Sequence, residues 1–198
     1  MPFSIKDEVN CPLKKSLIIG SLSSEKADNI EWTRSFYDLE EYYSLIIDLT
    51  SFPKNYPKAL FKNIGILKRA SRLFIQDNKE IFCIMEKPFK IMFKQIPLNY
   101  SWLPFPQKLK VNPMLLGKTI IKKSERFIEY FENVEKWDNE LFWENTKNCS
   151  FEPIAVNKSN NPIAATIKFN NRGKVHFLPK VPKINSKKAI DLLIECAE

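Results

Sequence analysis

Three short runs in the first half of the chain are apolar without alternation: residues 16–20 (SLIIG), 43–49 (YSLIIDL) and 80–85 (EIFCIM). A strand solvated on one face alternates polar and apolar side chains with period two, so continuous runs of this length call for cover on both faces, as in a parallel sheet. Between the second and third runs, Leu60, Phe61, Ile64, Leu67, Ala70, Leu73 and Phe74 recur three or four residues apart, with Lys62, Lys68, Arg69 and Arg72 among them. That spacing predicts an amphipathic helix over residues 58–76, with Pro57 at its first turn. Strand, helix, strand is a βαβ crossover, a unit that builds parallel sheets. Residues 1–198 therefore read as a single three-layer α/β domain with a mostly parallel central sheet.

Residues 25–41 read as acidic and mostly irregular, with Trp32, Phe36 and Tyr37 as packing anchors. Pro88, Pro97, Pro104, Pro106 and Pro113 interrupt an aromatic-rich stretch, which predicts an ordered, irregular insertion at about residues 88–150. Within it, Ser124 is placed to cap a helix reaching about Val134, and a second helical stretch is expected to hold Trp137, Leu141, Phe142 and Trp143. Residues 154–157, 163–169 and 174–178 predict strands joined by tight turns, an antiparallel addition near the C-terminus. A last helix begins near Asn185 or Ser186 and carries Ala189, Ile190, Leu192, Leu193 and Cys196 on its apolar side.

Composition removes several chemistries. The four glycines, Gly20, Gly65, Gly117 and Gly173, stand too far apart to write a GxGxxG or a GxxxxGK[ST] loop. Cys11, Cys83, Cys149 and Cys196 share no CxxC spacing and His176 is the only histidine, so neither a metal site nor a cofactor is expected. The N-terminus shows no basic, apolar and small-residue leader, and no apolar run reaches about 18 residues, so a cytoplasmic chain with reduced thiols and no membrane contact is the expectation.

Residues 16–20 with their polar loop, residues 43–50 (YSLIIDLT) and the closing residues 173–179 (GKVHFLP) together resemble the class I glutamine amidotransferase-like superfamily. That resemblance implies a flavodoxin-like sheet flanked by helices, in which a late strand ending in Leu-Pro leads to the last helix. Active members carry a cysteine at a G-x-C-x-G elbow, with a histidine and a glutamate downstream. None of the four cysteines here is flanked by two glycines, and Cys83 falls inside an apolar strand, where a thiol behaves as a small hydrophobe. The resemblance thus implies a catalytically degenerate domain that binds or assembles with a protein partner or a second copy of itself.

Ligands of open α/β sheets bind beyond the carboxyl ends of the strands. Asp48 and Thr50 end the second apolar run, and Ser21, Ser23 and Ser24 follow the first, so these five are the crevice candidates; for Asp48 the favoured alternative is a loop cap that bonds the backbone. A metal-dependent nuclease arrangement of Asp48 with Glu86 and Lys87 lacks the residue that should separate the pair. His176 alternates with apolar neighbours and has no adjacent nucleophile. The net charge is +8, and residues 51–100 carry 10 basic and 3 acidic groups against 5 and 9 in residues 1–50. Lys58, Lys62, Lys68, Arg69, Arg72, Lys87, Lys90 and Lys94, interleaved with Phe89 and Phe93, could track a nucleic-acid backbone or simply solvate a helix face. Tyr100, Trp102, Phe105, Trp137 and Trp143 are either a recognition surface or core, a choice that exposure decides.

Overall fold

The computed structural model describes residues 15–32, 39–53, 57–114, 120–144, 146–170 and 172–197. Cys11, Phe36, Tyr37, Gly117 and the side chains of Lys58, Leu60, Phe61 and Lys62 lie outside the described part. Along the chain run β1 (Lys15–Ile19), β2 (Ala27–Ile30), β3 (Tyr42–Asp48), α1 (Pro57–Gln76), β4 (Glu80–Ile84), the short β5 (Met92–Phe93) and β6 (Ile96–Pro97), β7 (Leu109–Pro113), β8 (Ile120–Lys122), α2 (Ile128–Glu132), β9 (Asn139–Trp143), β10 (Cys149–Asn157), β11 (Pro162–Phe169), β12 (Lys174–Leu178) and α3 (Ser186–Ala197).

Among the described residues, eight strands make one sheet in the order β2-β1-β3-β4-β12-β11-β10-β8. The first five are mutually parallel, and each of the remaining three is antiparallel to the strand before it. The apolar runs are buried on both faces, as their lack of alternation requires. Leu17, Ile19, Leu45, Ile47, Ile81, Cys83, Val175 and Phe177 face α1 and the insertion, whose Leu98, Trp102, Leu103 and Leu141 complete that core. Ile18, Ile46, Phe82, Ile84 and Leu178 face α2 and α3 through Phe131, Ile190, Leu193 and Ile194. Each large side chain fully buried in these cores contributes about 1.5–3 kcal/mol of transfer free energy.

The five parallel strands have the order of a flavodoxin-like sheet, in which the direction of winding reverses between β1 and β3. One departure is local: residues 20–26 connect β1 to β2 without a helix. The edge strand β2 falls where irregular chain was expected. Its sequence, Ala-Asp-Asn-Ile, has weak strand preference, and pairing with β1, Ser16 beside Ala27 and Ile19 beside Ile30, supplies the extended conformation instead.

The insertion is more regular than its prolines suggested. Around Trp137 to Trp143 the expected helix is strand β9, paired antiparallel with β7. Asn139 and Leu141 are buried there while Phe142 is exposed, a period of two that the clustered aromatics obscured. The helix expected from Ser124 shortens to a 3-10 turn at Glu125–Phe127 followed by the five-residue α2, and the Ser124 side chain makes no capping bond. Strand β8, from the same stretch, pairs with β10 and closes the far edge of the main sheet.

Candidate functional site

At the reversal point between β1 and β3 a crevice of about 340 Å³ opens beyond the carboxyl ends of the strands, lined by Gly20, Ser21, Ser23, Asn29, Glu31, Trp32, Ser51 and Pro53. Of the five crevice candidates, only Ser21 and Ser23 line it. Asp48 lies fully buried beneath, where its Oδ1 accepts the Thr50 N–H at 3.0 Å and the Thr50 hydroxyl at 2.5 Å and so caps the 3-10 turn Leu49–Ser51. Its Oδ2 has no hydrogen-bond partner among the described residues and packs against Gly20. Ser24 turns away and donates to Asp191 on α3.

Several other polar groups at this edge are occupied by one another, while the exposed Ser23 and Glu31 side chains stay open to solvent. The Ser51 hydroxyl donates to the Asp48 carbonyl at 3.0 Å and accepts the Ser21 N–H at 3.0 Å and the Trp32 indole N–H at 3.2 Å. The Gly20 N–H donates to the Ile30 carbonyl, and the Asn29 amide to that of Leu22. A phosphate cradle needs free N–H groups and, usually, the N-terminus of the following helix. Here the first two N–H groups after β1 are consumed, no helix follows, and the ionisable side chains at hand, Glu31 and buried Asp48, are acidic. The nuclease arrangement also dissolves: β4 ends at Ile84, and Glu86 accepts the backbone N–H of Lys87. No cluster of three metal-ligating side chains occurs among the described residues.

His176 is buried on the α3 face, stacked on Phe82, with Nδ1 at 2.8 Å from the Thr166 hydroxyl and Nε2 at 3.4 Å from Glu80 Oε2. Burial pushes its pKa below the ordinary value despite the Glu80 carboxylate. Glu80 gathers Arg126, bidentate at 3.1 and 2.5 Å, and Lys174 at 3.2 Å. Burial alone would raise the Glu80 pKa, but His176 and Arg126 outweigh it and hold the carboxyl well below the usual range. This network ties β4, β12 and the turn before α2 together at the amino edge of the sheet, and Arg126 extends it to the Cys196 carbonyl of α3.

On the other face of that amino edge, a larger cleft of about 540 Å³ is lined by Arg72, Ile75, Gln76, Pro104, Phe105, Asn148, Phe169, Asn170 and Arg172. No lining residue is acidic. Arg72 and Arg172 form no ion pair among the described residues, nor do the exposed Arg69, one turn from Arg72, and Lys147, next to Asn148. At the end of α1, which points here, two terminal carbonyls are capped by backbone bonds: Lys79 N–H to Phe74, and Asn78 and Gly173 N–H to Ile75. A side chain at Gly173 would stand 2.2 Å from the Lys79 carbonyl, so glycine is what lets the start of β12 reach the helix end and set Arg172 at the cleft.

The basic stretch proposed from sequence is divided by the fold. Helix α1, about 30 Å long by its 20 residues, runs from the carboxyl edge to the amino edge; Arg72 belongs to the amino edge, whereas Lys87, Lys90 and Lys94 follow β4 at the carboxyl edge. Among the aromatic candidates, Tyr100, Trp102 and Trp137 are buried and Trp143 packs partly against the core, leaving Phe105 alone half-exposed. Arg172, Asn148 and Asn170 were not singled out from sequence, because they come from turns 70–100 residues away from Arg72. The one local signal was Pro104-Phe105-Pro106, an aromatic held between two prolines. Comparison with profiles of known families, with curated proteins and with solved structures finds no match to this chain.

Proposed function

We propose that this chain is a binding module for an anionic partner and that the amino-edge cleft, not the crevice at the reversal point, receives it. The observation that carries the reading is the pair Arg72 and Arg172 in one cleft whose lining holds no acid, without carboxylate partners among the described residues. Guanidinium groups left unpaired beside a concavity gain most from a ligand that brings the counter-charge, because their planar forks match phosphate or carboxylate oxygens. The reading keeps the sense of a degenerate amidotransferase-like domain that binds rather than hydrolyses: Cys83 is buried in mid-strand with its thiol pKa pushed up by burial, a setting unlike an exposed elbow.

The test is a fluorescence titration of the full chain with a labelled polyanion at about 50 and about 200 mM salt. Binding should weaken steeply with salt, and the double variant Arg72→Ala/Arg172→Ala should lose at least tenfold in affinity at the lower salt. Absence of binding at low salt, or an unchanged affinity in the double variant, overturns the reading.

A protein partner has one observation of its own. Ile91, Met92 and Phe93 are 41–50% exposed on the β5–β6 hairpin, whose turn residues Lys94 and Gln95 both take positive φ. Light scattering of the purified chain tests self-association there: a concentration-dependent dimer abolished by Met92→Lys supports it, and a monomer at all concentrations rules it out.

A further inference from the structure

Deepening that reading, and resting on it, we infer that the anion is a nucleotide whose base stacks on Phe105 while its phosphate lies between Arg72 and Arg172. Phe105 departs from the ordinary behaviour of a core-forming aromatic. Its neighbours Leu103, Pro104 and Pro106 are buried, yet its own ring is 50% exposed at the rim of the cleft and has no ring partner among the described residues. Its backbone sits in the left-handed region at φ 55°, ψ 48°, a conformation that a bulky residue adopts only when its surroundings impose it.

The imposing elements are on both sides. Trp102, fully buried with its indole N–H on the Asn99 carbonyl at 3.0 Å, anchors the chain before Phe105. After it, Pro106 begins a 3-10 turn closed by the Lys108 N–H on the Phe105 carbonyl. The kink therefore turns the ring out of the core and presents a fixed flat apolar face beside two cations. An inorganic oligoanion would use only the cations. The ring gives a use for a planar, π-bearing group, and stacking on such a platform is tolerant of base identity. Gln76 and Asn148 add side-chain amides able to meet a base edge. Arg69 and Lys147 extend the positive field past the cleft, which suits a single strand running through it better than one isolated nucleotide.

The experiment measures binding of the full chain to a labelled short single-stranded oligonucleotide, its duplex, adenosine monophosphate and inorganic polyphosphate. Phe105→Ala should weaken the single strand about five- to a hundredfold, the range for losing one stacked base, and weaken polyphosphate far less, while Phe105→Trp restores single-strand affinity; a thermal melt of each variant checks that it is folded. The monophosphate competing as well as the oligonucleotide, nucleotide for nucleotide, supports a mononucleotide as the source, and competition only by the strand supports nucleic acid. Equal loss for all anions in Phe105→Ala, no loss for any, or preference for duplex overturns the stacking inference while leaving the anion reading intact. No binding of any anion at low salt overturns both.

Discussion

The two edges of the sheet dispose of their polar groups in different ways. At the carboxyl edge, Asp48, Thr50, Ser51, Ser21 and Trp32 bond to one another, with Asp48 Oδ2 unpartnered but buried below, and the crevice above them is left with little to offer a ligand. At the amino edge, Glu80, Arg126, Lys174 and His176 join in a network on one face, while on the other Arg72 and Arg172 have no ion pair among the described residues around a cleft. Strand order says where a crevice opens. Whether that crevice can hold anything depends on which groups can still reach a ligand: Asp48 Oδ2 is unpartnered but buried beneath the crevice, whereas the guanidinium groups without an ion pair among the described residues line the cleft at the opposite end of the strands.

Both edges rest on a glycine, and exchanging each for alanine weighs one against the other. A Cβ at Gly173 would meet the Lys79 carbonyl at 2.2 Å and Ile75 Cα at 2.9 Å, both backbone, so helix and strand must separate. Gly173→Ala should cost about 3 kcal/mol or more, read as a lower urea midpoint with unchanged slope, and should weaken anion binding by moving Arg172. At Gly20 the φ of +148° is itself unfavourable for any other residue, and the Cβ would meet Asp48 Cβ at 2.6 Å and Ser51 Oγ at 2.7 Å. Asp48 Cβ is fixed by its own backbone and only Ser51 Oγ can swing aside, so Gly20→Ala should also cost about 2–3 kcal/mol, and leave anion affinity unchanged. A loss of binding in Gly20→Ala with the fold intact would return function to the carboxyl edge.

Acid should strain the amino edge first. For His176, a folded pKa below the unfolded one means that the unfolded chain takes up the proton first, so stability falls as pH drops below about 6.5. For Glu80, also depressed, the contribution is fully present above the ordinary carboxylate value of 4.5 and is lost as pH falls below it. The two shifts add in the same direction. The urea midpoint should therefore decline in two stages on acidification, and Glu80→Gln should flatten the lower one. An unchanged lower stage in that variant would mean that other carboxylates set it.

Much of the architecture was legible because it depends on one-dimensional patterns. Uninterrupted apolar runs required a sheet covered on both faces, and helical spacing located α1 and α3. What escaped was set by partners distant in the chain. Strand β2 is extended because β1 lies beside it, and β9 because β7 does, in each case against weak or ambiguous local preference. The role of Asp48 as a cap was among the readings its position allowed, but the exhaustion of its neighbours was not, since it depends on Trp32 and Ser51 meeting across two loops. The cleft was the least legible element: Arg72, Phe105, Asn148 and Arg172 come from four separate segments, and no spacing rule links them.

The smallest effect comes from the glycine between the two edges. Gly65 lies on the exposed side of α1, and a Cβ there meets nothing within 4 Å. Gly65→Ala adds no contact and removes none; it reduces the backbone freedom of the unfolded chain and restores helix propensity, so it should raise stability by about 0.5–1 kcal/mol. The expected sign is opposite to that at Gly20 and Gly173, although the substitution is the same. A positive shift in the urea midpoint, with anion affinity unaltered four residues from Arg69, would attribute the losses at the edges to what surrounds those glycines rather than to glycine itself. A negative shift would mean that some other part of the chain covers α1 at this point, and the Arg69 to Arg72 face would then have to be reread as partly occupied.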